Sequence, residues 1–338
     1  MTIVDEPTAE TGGFDALTPW QEAGWRDEAL SWVEDALRAA GREPVDRAGF
    51  GVRLRPWSVV VRVPTDGETA WFKANPPASA FEPELAAALP GWAPGHVLTP
   101  LAVEPGRGWT LFGDGGRSLA DGPQDAGAWV APLQQYAELQ RTLAPRAEEL
   151  IGLGLPDRRP AMLAGGMALL TARATAVDDA VHDALGGLRA RFAGWCAELD
   201  GSGIPITLDH GDLQDGQVFL GPDGRHRFHD WDAASVAFPF TSLLVVARVI
   251  RQRFGADGPA VLRRLRDAYL EPWTADGHSR ADLDRLAGLA CRVGPVGQVF
   301  RALAVGRMFP GSPVDARAVH SVAAQEALVA ACGLIAAD

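Results

Sequence analysis

The chain has 338 residues, 47% of them hydrophobic and 8% aromatic, a folded composition with length for one large domain or two lobes. Its 31 Lys and Arg against 43 Asp and Glu give a formal charge of -12. That balance repels nucleic acid and anionic membrane, so neither is expected as a partner, and it suits cationic or neutral small molecules.

Cys196, Cys291 and Cys332 are far apart and odd in number. They show no metal-ligand spacing and suggest no disulfide framework. Met1 to Glu10 carries acids and no basic patch, unlike a signal peptide. No apolar run reaches the ~18 residues of a membrane span. A soluble, cytoplasmic protein is expected.

Residues 1–18 read as a mobile, disordered acidic tail. Trp25, Ala29, Trp32, Val33, Ala36 and Leu37 then recur at helical spacing, with Gly41 as a stop. The valine-rich run Ser58 to Val63, the Thr65-Asp66-Gly67 turn and Glu68 to Lys73 predict a β-hairpin. Glu82 to Leu89 reads as a short helix ending at Pro90, and Val97 to Val103 and Trp109 to Phe112 as two further strands. The break at Gly113-Asp114-Gly115-Gly116 places a boundary between an N-terminal lobe, 19–116, and a C-terminal lobe, 117–338. The second lobe reads as helical, with helices around 129–140 and 181–199. A short hairpin of Val218 to Leu220 and Arg227 to Phe228 interrupts it, and helices resume from Thr241. The fold class is therefore α+β, a small antiparallel β-rich lobe with one helix followed by a larger, mostly helical lobe.

Chemistry concentrates between residues 208 and 232. His210-Gly211-Asp212 is followed five positions after the aspartate by the amide of Gln217, and Asp230 stands at the far end of the hairpin. Phosphoryl transfer needs a carboxylate to orient a hydroxyl and accept its proton, and oxygen ligands that hold Mg²⁺ against the donor phosphates. A loop followed by a tight hairpin brings three such side chains around one point. A transition-metal site of His210, Asp212, His229 and Asp230 is the competing reading, disfavoured because strand alternation turns His229 and Asp230 to opposite faces.

At these residues the sequence resembles the aminoglycoside phosphotransferase family, small-molecule relatives of protein kinases. The family loop His-Gly-Asp-Leu-His-x-Gly-Asn is matched by His210, Gly211, Asp212, Leu213 and Gly216, and its Asp-Trp metal motif by Asp230 and Trp231. The resemblance implies a two-lobed, protein-kinase-like fold, Asp212 as catalytic base, Asp230 as Mg²⁺ ligand and ATP or GTP as donor. The family asparagine is Gln217 here and its second histidine is Gln214. Gln217 retains an amide oxygen one methylene further out and stands as a second metal-ligand candidate.

A kinase also needs a strand lysine for the phosphates and a helical glutamate to pair with it. Lys73 closes an apolar strand and is the only lysine in the sequence. Glu84 is the expected partner and Glu82 the competing one, because Pro83 suits the first helical turn and leaves Glu82 at its edge. No glycine-rich loop precedes Lys73. Ser58, in Arg55-Pro56-Trp57-Ser58-Val59, is the candidate contact for the β-phosphate, and Trp109 to Gly115 has the position of the interlobe hinge.

The acceptor is expected to be a small-molecule hydroxyl, on an antibiotic of aminoglycoside or nucleoside type. Trp231, Asp232, Trp273, Phe300 and Arg301 are candidates for its site. Two other readings stand beside it: a kinase-like binding module that has lost turnover at Gln217, and a His/Asp metal-dependent hydrolase.

Overall fold

The computed structural model describes residues 9–14, 17–122, 125–173 and 179–312, with side chains described for all of these except 168–173 and 179–186. They fall into two compact units. The first draws on 9–91, 98–116 and 303–312, and the second on 92–97 and 117–302.

In the first unit β1 (Ala9–Glu10) is followed by α1 (Ala23–Ala39), β2 (Gly51–Arg55), β3 (Ser58–Val63), β4 (Ala70–Ala74), α2 (Glu82–Trp92), β5 (Pro100–Glu104) and β6 (Trp109–Phe112). The strands form one sheet in the order β1-β2-β3-β4-β6-β5. All neighbours are antiparallel except β1, which runs parallel to β2. The valines of β3 supply the β-branched character that a pleated, half-buried strand favours. α1 buries Ala29, Leu30, Val33 and Leu37 at helical spacing. Its Trp32 packs against Phe72 and Trp109, with ring centroids 6.0 and 5.7 Å away. This aromatic cluster fixes the strand that carries Lys73.

Three expectations are corrected here. The described part of the 1–18 segment is ordered: Ala9–Glu10 pairs with β2, and Thr18 caps the following turn in a reciprocal capping box with Gln21. α2 runs through Pro90 to Trp92, although the proline has no N–H to return to the Ala86 carbonyl. The strand expected from Val97 begins only at Pro100.

The second unit contains α3 (Val130–Leu143), α4 (Ala147–Gly152), β7 (Asp157–Arg158), α5 (Pro160–Arg173), α6 (Asp179–Asp200), β8 (Thr207–Asp209), β9 (Val218–Leu220), β10 (His226–Phe228), β11 (Ser235–Ala237), α7 (Leu243–Phe254), α8 (Gly258–Leu270) and α9 (Arg280–Leu303). β9 and β10 form the expected antiparallel hairpin. A three-stranded sheet of order β7-β11-β8 lies beside it in sequence but joins residues from 157 to 237. Trp273 is fully buried there, its ring edge-on to Phe240, so it belongs to the core and not to an acceptor surface. Among the described residues no helix is long and apolar enough to cross a membrane.

Candidate active site

The loop from His210 to Gln217 is held from below by a buried polar network. Asp209, the last residue of β8, accepts hydrogen bonds from Ser242 Oγ at 2.5 Å and Thr241 Oγ1 at 3.1 Å. The Tyr136 hydroxyl of α3 accepts the His210 backbone N–H at 2.9 Å. One turn on, Gln140 donates to the Leu208 carbonyl at 2.9 Å and accepts from the Tyr269 hydroxyl at 2.5 Å. Burial, reinforced by the Asp209 carboxylate, pushes the Tyr136 phenol far above its ordinary pKa, so it stays protonated. The Tyr136–Gln140 stretch carried no chemistry in the sequence; its role depends on partners about seventy to a hundred and thirty residues away.

His210 is fully buried, donates from Nε2 to the His229 carbonyl at 2.8 Å and packs on Trp231 with centroids 4.6 Å apart. It is thus a brace between the two motifs. Gly211 has φ +72°, and a Cβ there would stand 2.3 Å from the Ala233 carbonyl oxygen. Only glycine meets both demands, and the close approach ties the loop to the segment after Asp230.

Asp212 follows directly. Its Oδ2 accepts from Gln214 Nε2 at 3.0 Å and its Oδ1 from Arg248 on α7 at 3.1 Å. Asp230 has φ +66°, among the described residues the one non-glycine residue in the left-handed region. Such a conformation costs about 1 kcal/mol or more and is retained where a site aims a side chain. Gln217 donates from Nε2 to Asp230 Oδ2 at 3.3 Å, while its Oε1 accepts the Gln214 backbone N–H at 3.1 Å. The three residues expected around one point are therefore linked through Gln214. The amide oxygen of Gln217 accepts one backbone N–H, and in this orientation the side chain acts on Asp230 as a hydrogen-bond donor.

In the first unit Lys73 Nζ lies 2.7 Å from Glu82 Oε2, and Asn75 Nδ2 donates to the same oxygen at 2.7 Å. Lys73 and Glu82 are 8% and 1% exposed. Glu84, the expected partner, is exposed. α2 starts at Glu82 itself, so Pro83 occupies its second position and Glu82 points back to the sheet. Ser58 is buried at the start of β3, opposite Arg55. Trp57 packs edge-on to Phe14 at 5.1 Å.

Metal-hydrolase chemistry finds no ligand set: among the described residues no three His, Cys, Asp or Glu side chains converge, and the His210 ring is committed to its bracing role. Arg159 pairs with Asp157 at 2.6 Å and Glu148 at 2.7 Å, as a surface salt bridge. A cleft of about 560 Å³ on the second unit, lined by His96, Gln135, Glu138, Arg225 and Glu271 among others, includes no residue of the Asp212 loop.

No family profile matches this sequence, and no curated protein does. Solved structures match over most of the chain. The macrolide 2'-phosphotransferase MphH from Brachybacterium faecium is 19% identical, with a TM-score of 0.53 over 89% of this chain and 98% of its own. A thermostable aminoglycoside phosphotransferase APH(4)-Ia variant, in ternary complex with ADP and hygromycin B, is 13% identical, with a TM-score of 0.52 over 81% and 90%. The Plasmodium vivax ethanolamine kinase is 12% identical, with a TM-score of 0.52 over 81% of each chain. The chain has the two-lobed, protein-kinase-like α+β fold that these small-molecule phosphotransferases share.

Proposed function

We propose that this protein is a small-molecule kinase that moves the γ-phosphate of ATP or GTP to a hydroxyl of its acceptor, with Mg²⁺ as cofactor. The observation that carries the proposal is the Lys73–Glu82 pair. A buried ion pair is often no more stabilising than apolar packing of similar volume, so stability alone does not account for this one. Here the sole lysine of the chain is held at fixed orientation by a glutamate and an asparagine. A compact ammonium so placed suits phosphate oxygens.

Asp212 orients the acceptor hydroxyl and takes up its proton. Asp230, aimed by its left-handed backbone, would hold Mg²⁺, a hard cation that accepts one or two carboxylates and completes its shell with phosphate oxygens and water. When bound, the ion neutralises charge developing on the transferred phosphoryl group. Ser58 is proposed to contact the β-phosphate from the β2–β3 turn. The structurally similar proteins include a macrolide phosphotransferase, a phosphotransferase bound to hygromycin B and an ethanolamine kinase. An antibiotic is thus one acceptor class among several that this fold serves.

The test is a thermal-shift titration with ATP and GTP, each with and without Mg²⁺, on wild type and Asp230→Ala. Stabilisation that requires both Mg²⁺ and Asp230 supports the reading and names the donor. A protein that binds Mg-nucleotide yet shows no turnover, even of water, is the binding module instead. No stabilisation by either nucleotide sinks the kinase reading.

A further inference from the structure

The kinase reading leaves the acceptor open, and the side chains around Asp212 narrow it. Three arginines from two helices converge on the five residues from Gly211 to Asp215. Arg248 holds Asp212 Oδ1 at 3.1 Å, and Arg253, also on α7, pairs with Asp215. Arg301 of α9 donates to the Gly211 carbonyl at 2.9 Å, beside Gln298 at 3.3 Å. α7 (Leu243–Phe254) carries Arg248, Arg251 and Arg253 and no acid, and α9 carries no acid after Asp284. In a chain of net charge -12 these helices thus set cations against the carboxylates of the loop.

A polyammonium acceptor such as an aminoglycoside needs several converging carboxylates. Asp212 and Asp215 are already bound to arginines and Asp230 is assigned to the cofactor, so of the carboxylates in the two motifs at most Asp232 is left for an acceptor, fewer than a polycation needs. The parts of the helices that hold the loop, α7 and α9 beyond Asp284, add cations only, which repel such a ligand.

We propose, on the phosphotransferase reading, that the acceptor is a hydroxyl compound carrying an oxyanion near the reacting hydroxyl, a hydroxy-carboxylate or a phosphorylated sugar or polyol, and that Arg248 is the residue selecting it. The Arg248 side chain is 56% exposed, so its bond to Asp212 is solvent-screened and exchangeable. A guanidinium binds carboxylate or phosphate through two parallel N–H donors, better than the single contact it makes here. The oxyanion draws Arg248 from Asp212 and frees Oδ1 in the same event. The acceptor oxygen then bonds to the γ-phosphorus as the bond to the β-bridging oxygen breaks. The nucleoside diphosphate leaves, and the hydroxyl proton passes to Asp212 Oδ1. Arg248 thus selects the acceptor by contacting its oxyanion, and by leaving Asp212 it frees the base.

The first readout needs no identified acceptor. Wild type, Arg248→Ala, Arg248→Lys and Arg248→Glu are assayed for slow Mg-nucleotide hydrolysis, with malonate as the oxyanion probe and kanamycin as the polycation. Malonate is expected to raise wild-type hydrolysis severalfold and to leave Arg248→Ala unmoved at an already raised rate, with Lys intermediate. Kanamycin is expected to do neither in wild type. Hydroxy-carboxylates, sugar phosphates, neutral nucleosides and aminoglycosides are then compared as acceptors. For the oxyanion class Arg248→Ala is expected to raise KM about tenfold or more, with kcat changed far less; the carboxylate and phosphate arms tell the two sources apart. Wild type that binds Mg-nucleotide, ignores malonate and phosphorylates kanamycin equally well with or without Arg248 overturns the acceptor class alone. Absence of Mg-nucleotide binding overturns the phosphotransferase reading beneath it.

Discussion

Gln217 meets Asp230 with its amide nitrogen, not its oxygen: Nε2 lies 3.3 Å from Asp230 Oδ2, while Oε1 accepts the Gln214 backbone N–H. An N–H donor on one side fixes the amide orientation, because a second donor cannot face it. The side chain therefore clamps the loop and aims the carboxylate. Gln217→Ala removes both bonds, each worth about 1 kcal/mol. The expected outcome is a several-fold to tenfold rise in the Mg²⁺ concentration needed for nucleotide stabilisation. A magnesium titration at fixed ATP measures it. Gln217→Glu, which sets a carboxylate against Asp230, is expected to be worse than alanine.

Lys73 and Glu82 supply a prediction about stability as well as about binding. Removing one partner of a buried pair leaves an uncompensated charge, at a cost of about 3 kcal/mol or more. Glu82→Ala is therefore expected to lower the urea midpoint sharply. Glu84→Ala, on an exposed position two residues away, is expected to change stability by less than about 0.5 kcal/mol. Equal effects in the two variants would return Glu84 as the partner. Lys73→Met alone strands the buried Glu82 carboxylate and is expected to be destabilising too. The double variant Lys73→Met/Glu82→Leu, which replaces both charges by apolar groups, separates the roles: stability is largely kept while Mg-nucleotide affinity falls.

Gly211→Ala tests the loop geometry. The new methyl meets the Ala233 carbonyl oxygen at 2.3 Å and demands φ near +72° of a residue with a Cβ. Backbone cannot yield as a side chain tip would, so the loop must move. The expected result is a folded protein, destabilised by about 1–3 kcal/mol, with turnover reduced at least a hundredfold. Circular dichroism with a hydrolysis assay distinguishes this from global unfolding.

The elements legible in the sequence were those with a period or a scarcity behind them. α1 and the β3–β4 hairpin follow from apolar spacing, and Lys73 stood out because no other lysine competes with it. Glu82 was misjudged because, at the edge of the expected helix, nothing local showed that its side chain turns back onto Lys73. β7, β8 and β11 were not legible: two or three residues define no alternation, and their pairing joins chain segments far apart. The same non-locality hid Tyr136 and Gln140, whose side chains read as ordinary helix residues until Asp209 and Tyr269 come beside them. Arg248 was hidden for a related reason, since a surface arginine on an apolar helix carries no local sign of its partner.

The segment after α9 yields the last prediction. The chain returns to the first unit there: the Gly306 carbonyl accepts Ala78 N–H at 2.9 Å, Phe309 N–H donates to the Pro56 carbonyl at 2.8 Å, and Ser312 Oγ donates to the Leu17 carbonyl at 2.9 Å. Phe309 is buried in the same core as Trp20, Val59 and Trp109. Pro56 belongs to the β2–β3 turn, two residues before Ser58, the proposed β-phosphate contact. The strap thus pins the turn by a backbone bond and its own buried ring. Phe309→Ala removes the ring at a cost of about 3 kcal/mol and loosens the turn. Both the melting temperature and the shift produced by Mg-nucleotide are expected to fall. Val305→Ser, at a side chain 98% exposed four residues earlier, is expected to change neither. If Phe309→Ala lowers the melting temperature but leaves nucleotide affinity intact, the strap stabilises the fold without organising the phosphate-facing turn, and Ser58 loses its support as a phosphate contact.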